Sequence, residues 1–363
     1  MVLPDPNNCS HAQIVSKDLY INVAIVLQII TSIATFIPLA FVTQHSASLR
    51  RLNSMAHPNL KLVFMAGLFF VFLHVIGILV FKTYSIIHTL TSVAPCDFQW
   101  STRSCLAFKI PIYWSVFGFS CCHLMLFIER TLATFCYKMY CGFGQKPGII
   151  LLTLTFCIAA LVTYFVYRSE DLTLQRSYCT STSAKTTHIL GDFMFAMTLV
   201  DLCVTTGDFV IWLVNRAQLK RRFRRTENYS LERAARLREN HLSIRVVTPL
   251  SVIHSFFFLT LFALILLNRN RSAALQPSGH IFALEINHWL ICLYVLSSPC
   301  NLLVLLKTLD QEPEWLKQTT VNPMDVHFQQ LDAQLNPNFN RRESLLGIRM
   351  QKLSTSIRSP FVP

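Results

Sequence analysis

The sequence predicts an all-α membrane protein, a seven-transmembrane helix bundle with its N-terminus extracellular and its C-terminus cytoplasmic, and three observations predict it. Of 363 residues, 52% are hydrophobic and 14% charged, with a mean hydropathy of +0.43, more apolar than a soluble domain. Seven apolar stretches are each long enough to cross a hydrocarbon core of about 30 Å, which takes about 20 helical residues. Lys and Arg are unevenly placed: 23 of the 32 fall on one set of alternate connections and the tail, the side that becomes cytoplasmic.

The spans are expected near 19–42, 60–81, 106–135, 148–167, 189–214, 246–268 and 284–307. Residues 1–18 form an extracellular N-terminus, and the apolar run from Leu19 is too long, and lacks a small-residue cleavage site, to be a removable signal peptide. It reads as a retained anchor. The segment 82–104 is not an eighth span, because Lys82, His88, Pro95, Asp97 and Arg103 interrupt it. Lys82 and Lys109 are counted with the outer charges. Residues 309–363 carry no apolar run and read as a cytoplasmic, largely disordered tail.

The net charge of +13 thus belongs to a cytoplasmic membrane surface and its partners rather than to nucleic acid. Each Lys or Arg near anionic lipid is worth about 1 kcal/mol. Asn8-Cys9-Ser10 is a glycosylation sequon on the outer side, as is Asn270-Arg271-Ser272 close to the membrane, whereas Asn228-Tyr229-Ser230 lies inside.

Topology sorts the 12 cysteines. Cys9, Cys96, Cys105 and Cys179 lie outside, in an oxidising setting, and four thiols allow three pairings. The preferred one joins Cys105, at the start of the third span, to Cys179 in the second outer loop, which leaves Cys9 with Cys96. Cys136 and Cys141 lack zinc-site spacing, and Cys121 and Cys122 read as packing residues.

Charges inside a span need a partner or a wet cavity. The third span ends in Glu129-Arg130, 25 residues from Cys105, or about 37 Å along a helix. An arginine there can pair with a carboxylate in one state and release it in another, or simply anchor the helix. In the fifth span Asp201, Thr205 and Asp208 share one stripe within about 40°. Asp201 is a candidate protonated or ion-binding carboxylate, or a structural hydrogen-bonding group, with His123, His74 or His254 as conceivable partners. Asp192 is placed to snorkel. Glu285 and His288 lie one turn apart in the seventh span, where they could line a ligand cavity.

Catalytic signatures are weak. Glu285 and His288 form half of a di-iron carboxylate pattern without its second copy, no paired-histidine zinc motif occurs, and no lysine between Glu285 and Leu306 could hold a Schiff base. An enzyme is not expected, and no cofactor is. Pro111, Pro249 and Pro299 are expected to kink helices, with Ser297 to Asn301 as a deformable segment. The third inner loop, Asn215 to Ser243, carries Lys220-Arg221-Arg222-Phe223-Arg224-Arg225 and then spaced apolar residues, a pattern for helical extensions of spans five and six. Arg341-Arg342-Glu343-Ser344 has the form of a basophilic kinase site at Ser344.

These residues resemble the nematode serpentine chemoreceptors, most closely the class alpha/beta branch and its relatives. The likeness covers about 19–308 and rests on Glu129-Arg130-x-x-Ala133-Thr134, on Tyr229-Ser230-Leu231, and on Arg238-Glu239-Asn240-x-x-Ser243-x-Arg245 with Pro249. It departs at Ala234-Ala235-Arg236, where relatives carry an Arg-Tyr-Gln-like stretch, and in span seven, where Ser298-Pro299-Cys300-Asn301 replaces the Asn-Pro-x-x-Tyr of rhodopsin-like receptors. The resemblance implies a G-protein-coupled receptor at the plasma membrane of sensory neurons, their cilia or dendrites, with an external small-molecule ligand and a heterotrimeric G protein as partners. Glu129, Arg130, Arg238 and Arg245 would then form the switch and G-protein face. The alternative is a transporter or channel using Asp201 and Asp208, against which stands the lack of a visible internal repeat.

Overall fold

A computed structural model describes residues 8–44, 58–136, 140, 142–179, 184–222, 231–271 and 277–310. A short helix α1 (Asn8–Lys17) precedes seven long ones: α2 (Leu19–Gln44), α3 (Pro58–Thr91), α4 (Thr102–Phe135), α5 (Lys146–Tyr167), α6 (Ala184–Arg222), α7 (Leu231–Arg271) and α8 (Pro277–Asp310). All seven are long and apolar enough to cross a membrane.

The helices are apolar outside and mixed inside, the pattern of a bundle in lipid rather than in water. In α2, Ile30, Ile33, Ile37 and Phe41 point outward while Gln28, Thr31, Ser32 and Thr35 are buried. Hydroxyls turn back to their own helix, Thr31 to Leu27 O at 2.7 Å and Thr35 to Thr31 O at 2.8 Å. A shared core of Phe70, Val116, Phe117, Phe119, Ala159 and Tyr294 joins α3, α4, α5 and α8. Close approach is needed at Gly207 of α6, where a Cβ would lie 2.4 Å from the Phe127 ring of α4.

One end of the bundle is a covalent cap. Asp18 receives the amides of Tyr20 and Ile21 at the start of α2, a helix N-cap. Cys9 of α1 is bonded to Cys96, within a single turn of 3-10 helix (Pro95–Phe98). Strand β1 (Trp100–Ser101) pairs antiparallel with β2 (Gln175–Arg176), Trp100 opposite Arg176. Ser101 then caps α4 by accepting from Ser104 N. Cys105 is bonded to Cys179, so the segment before α6 is held over this end of the bundle.

One expectation is corrected here. Lys82 does not end the second span: α3 continues to Thr91 with Lys82 fully buried inside it. The physical reason is a carboxylate on another helix, which removes the cost that makes an isolated charge look like a boundary. Lys109, expected inside the third span, is buried within its helix. Pro38, Pro111, Pro249 and Pro299 all sit inside continuous helices. Helices α6 and α7 extend through Arg222 and from Leu231, into the basic third loop. Ser344 and the tail beyond Asp310 lie outside the described residues, as do the side chains of Asn8 and Arg238.

Candidate functional site

Helix α4 passes three buried polar clusters between Cys105 and Arg130. The first lies under the disulfide cap. Glu285 of α8 pairs with Lys82 of α3, accepts from Gln28 Nε2 at 2.8 Å, and accepts from Tyr178 Oη at 2.8 Å. Burial and the adjacent Glu285 carboxylate push the Tyr178 phenol well above its usual range, which keeps it a donor. Lys109 lies beside His288, Nζ to Nε2 at 3.1 Å, and over the Phe81 ring at 4.6 Å. The Nδ1 of His288 is buried without a hydrogen-bond partner.

This cluster draws on α2, α3, α4 and α8 and on the segment that the Cys105–Cys179 bond holds in place. Arg176 braces that segment, with Nε 3.1 Å from Thr102 Oγ1 and an ion pair to Glu170 at 2.5 Å. Lys82, Lys109, Gln28 and Tyr178 were not among the sequence candidates. The lysines did carry a signal, because each interrupts an otherwise apolar helical run.

In the second cluster, Asp201 of α6 faces two histidines. His123 Nδ1 of α4 lies 3.1 Å from one carboxylate oxygen and His254 Nε2 of α7 lies 3.2 Å from the other. Ser120 donates to Asp201 at 3.0 Å. Asp208 accepts from Ser251 and lies 3.9 Å from His123 Nε2. His254 Nδ1 is 2.9 Å from Tyr294 Oη. His74, the third conceivable partner of Asp201, instead meets Ser115 at 2.9 Å. A cavity of about 90 Å³ opens beside this cluster, lined by His123, His254, Phe119, Tyr294 and Pro299 among others.

At the third cluster Arg130 is buried and grips Glu129, Nη2 to Oε1 at 2.6 Å. It also donates to Asn240 Oδ1 of α7 at 3.1 Å. Asn240 in turn donates to Thr134 at 2.7 Å and to Asn215 of α6 at 3.1 Å. Tyr140 donates to Glu129, its phenol raised by burial and by that carboxylate. Three helices therefore meet on one arginine and one asparagine. Arg245 lies on α7 with an exposed side chain.

Among the described residues, the hydrogen-bonded side chains of these clusters link one helix to another. The three clusters lie one after another along a single helix. A family model described as "Serpentine type 7TM GPCR receptor class ab chemoreceptor" matches residues 6–336. The chain is also similar to serpentine receptor class alpha/beta-14 of Caenorhabditis elegans, 28% identical over 178 residues, which cover 47% of this chain and 44% of that protein. The match thus spans less than half the length of this curated relative.

Proposed function

Because the chain belongs to the class ab family of serpentine seven-transmembrane chemoreceptors, we propose that it is a sensory receptor that binds an external small molecule and signals to a cytoplasmic heterotrimeric G protein. The disulfide-capped end faces outward and the Arg130 end faces the cytosol, in keeping with the excess of Lys and Arg on that side. The plasma membrane of a sensory cilium or dendrite is the proposed location.

The observation that carries this reading is the pair of buried clusters at opposite ends of α4. At the inner end Arg130 holds α4 to α7 through Asn240, and α7 to α6 through the same asparagine. Opening this face to a G protein requires that knot to loosen, and a ligand drives it only by binding the open arrangement better than the closed one.

At the outer end Lys82 pairs with Glu285, and Lys109 lies beside His288 in the same buried cluster. Buried charge needs compensation, and Lys109, which has no ion pair to a carboxylate among the described residues, offers a place for one further negative group. An acidic small molecule supplies it, with His288 Nδ1 as an additional polar contact.

The test is expression with a promiscuous G-protein reporter against a panel of carboxylic acids and their amides, with Arg130→Ala compared at equal surface level. A G-protein response to at least one acid, lost in the variant, is expected. Ligand-driven current or flux through Asp201 and Asp208 without any G-protein response would favour the transporter or channel reading and sink this one.

A further inference from the structure

We propose that His123 of α4, Asp201 of α6 and His254 of α7 form a binding site for a divalent transition-metal ion of the zinc class, which clamps the three helices together. The inference does not depend on the ligand or on the signalling partner. It stands on geometry, charge and the surroundings of the two imidazoles.

One potential ligand atom from each of the three residues lies within 4.8 Å of the others. Zinc bonds of about 2.0–2.2 Å to nitrogen and oxygen place ligand atoms about 3.4 Å apart in a tetrahedron. His123 approaches one Asp201 oxygen at 3.1 Å and His254 the other at 3.2 Å, separations close to that size on either side of one carboxylate. The three residues come from three different helices, so their convergence is a product of the fold and not of local sequence. The approach of α6 to α4 at Gly207 is part of what makes it possible.

The charge balance points the same way. Asp201 and Asp208 are both buried, and among the described residues their ion pairs are with histidine alone. Two carboxylates in a bundle that spans lipid call for positive charge. A divalent ion meets the whole of that demand, and two imidazole donors with one carboxylate select a transition metal over sodium or magnesium.

Metal-bound histidines present their second nitrogen to an outer partner that fixes the ring. One imidazole here has such a partner in place, and the other has a carboxylate close by. His254 Nδ1 meets Tyr294 Oη at 2.9 Å. His123 Nε2 is buried, has no hydrogen-bond partner, and faces Asp208 at 3.9 Å, the carboxylate–histidine–metal arrangement drawn slightly open. The adjacent cavity of about 90 Å³ is lined by both histidines, and since a water needs about 10–15 Å³ of such space it has room for a water as fourth ligand.

The test titrates Zn²⁺ into the purified full-length protein in nanodiscs, with the thermal midpoint as readout. A saturable rise at one ion per chain is expected, abolished by His123→Ala and by His254→Ala and kept by His188→Ala, a histidine with an exposed side chain. Tyr294→Phe, which removes only the outer partner of His254, is expected to weaken Zn²⁺ binding about 10- to 100-fold. Since the alanine variants can fail to fold, Co²⁺ is bound to the wild type in parallel, and visible bands of four-coordinate Co²⁺ with nitrogen and oxygen donors are expected. Absence of those bands, a thiolate charge-transfer band, no saturable rise in the wild type, or a Zn²⁺ shift that survives in both alanine variants overturns the assignment.

Discussion

Arg130 donates to the side-chain oxygen of Asn240 at 3.1 Å, a contact between α4 and α7 across 110 positions of sequence. Asn240 has its own amide nitrogen spent on Thr134 and Asn215, so one small side chain closes a three-helix junction. Asn240→Ala leaves part of a buried guanidinium without its acceptor, a loss of about 1–3 kcal/mol. If the closed junction is the resting state, that loss falls on it alone and ligand-free signalling rises. Reporter activity without ligand, normalised to surface level, checks this, and a basal signal equal to the wild type would contradict it.

Lys82 and Glu285 form a buried ion pair between α3 and α8. Removing one partner of such a pair costs about 3–5 kcal/mol because the other charge stays buried, while replacing both by apolar groups is often neutral. Lys82→Met alone is therefore expected to lower thermal stability and surface expression sharply, and Lys82→Met with Glu285→Leu to recover most of it. A double variant no better than the single one would show that the cluster's neighbours, Gln28 and Tyr178, matter more than the pair.

The bond between Cys105 and Cys179 closes a loop with a sequence separation of 74. Loop-closure entropy for that size is worth about 4 kcal/mol, an upper figure because lipid already confines the helices in the unfolded chain. Cys105→Ser, Cys179→Ser and the double variant should lose the same amount, since each removes the same bond. Thermal midpoints that differ between the singles and the double would point to a second role for one of the thiols.

Much of the fold was legible because its signals are local: seven apolar runs of adequate length and a one-sided distribution of basic residues. The stripe of Asp201 and Asp208 was legible for the same reason, being a matter of helical period. The histidines that meet Asp201 were named only as two of three possibilities, since nothing local distinguishes His74 from His254. Lys82 reads as a boundary for a related cause. A charge in an apolar run looks like a boundary until its partner is known, and Glu285 lies 203 positions from Lys82. The knot at Arg130 was half visible: Glu129 is its neighbour in sequence, whereas Asn240 reaches it only through the packing of α7 on α4.

Gly207 gives the last prediction. Its lack of a side chain lets α6 lie against Phe127 of α4, where an added Cβ would fall 2.4 Å from the ring. One position along, Asp208 meets Ser251 and faces His123. Gly207→Val therefore forces α6 away from α4, at an overpacking cost of about 1–3 kcal/mol, and moves Asp201 and Asp208 off the histidine of α4. The neighbour Thr206, exposed and with its hydroxyl bonded to Leu202 O of its own helix, serves as a control, since Thr206→Val changes the same helix without touching the contact. Gly207→Val should lower the thermal midpoint and also remove the Zn²⁺-dependent rise, while Thr206→Val should do neither. Loss of stability with the Zn²⁺ response intact would mean that the spacing of α4 and α6 does not set the geometry around His123.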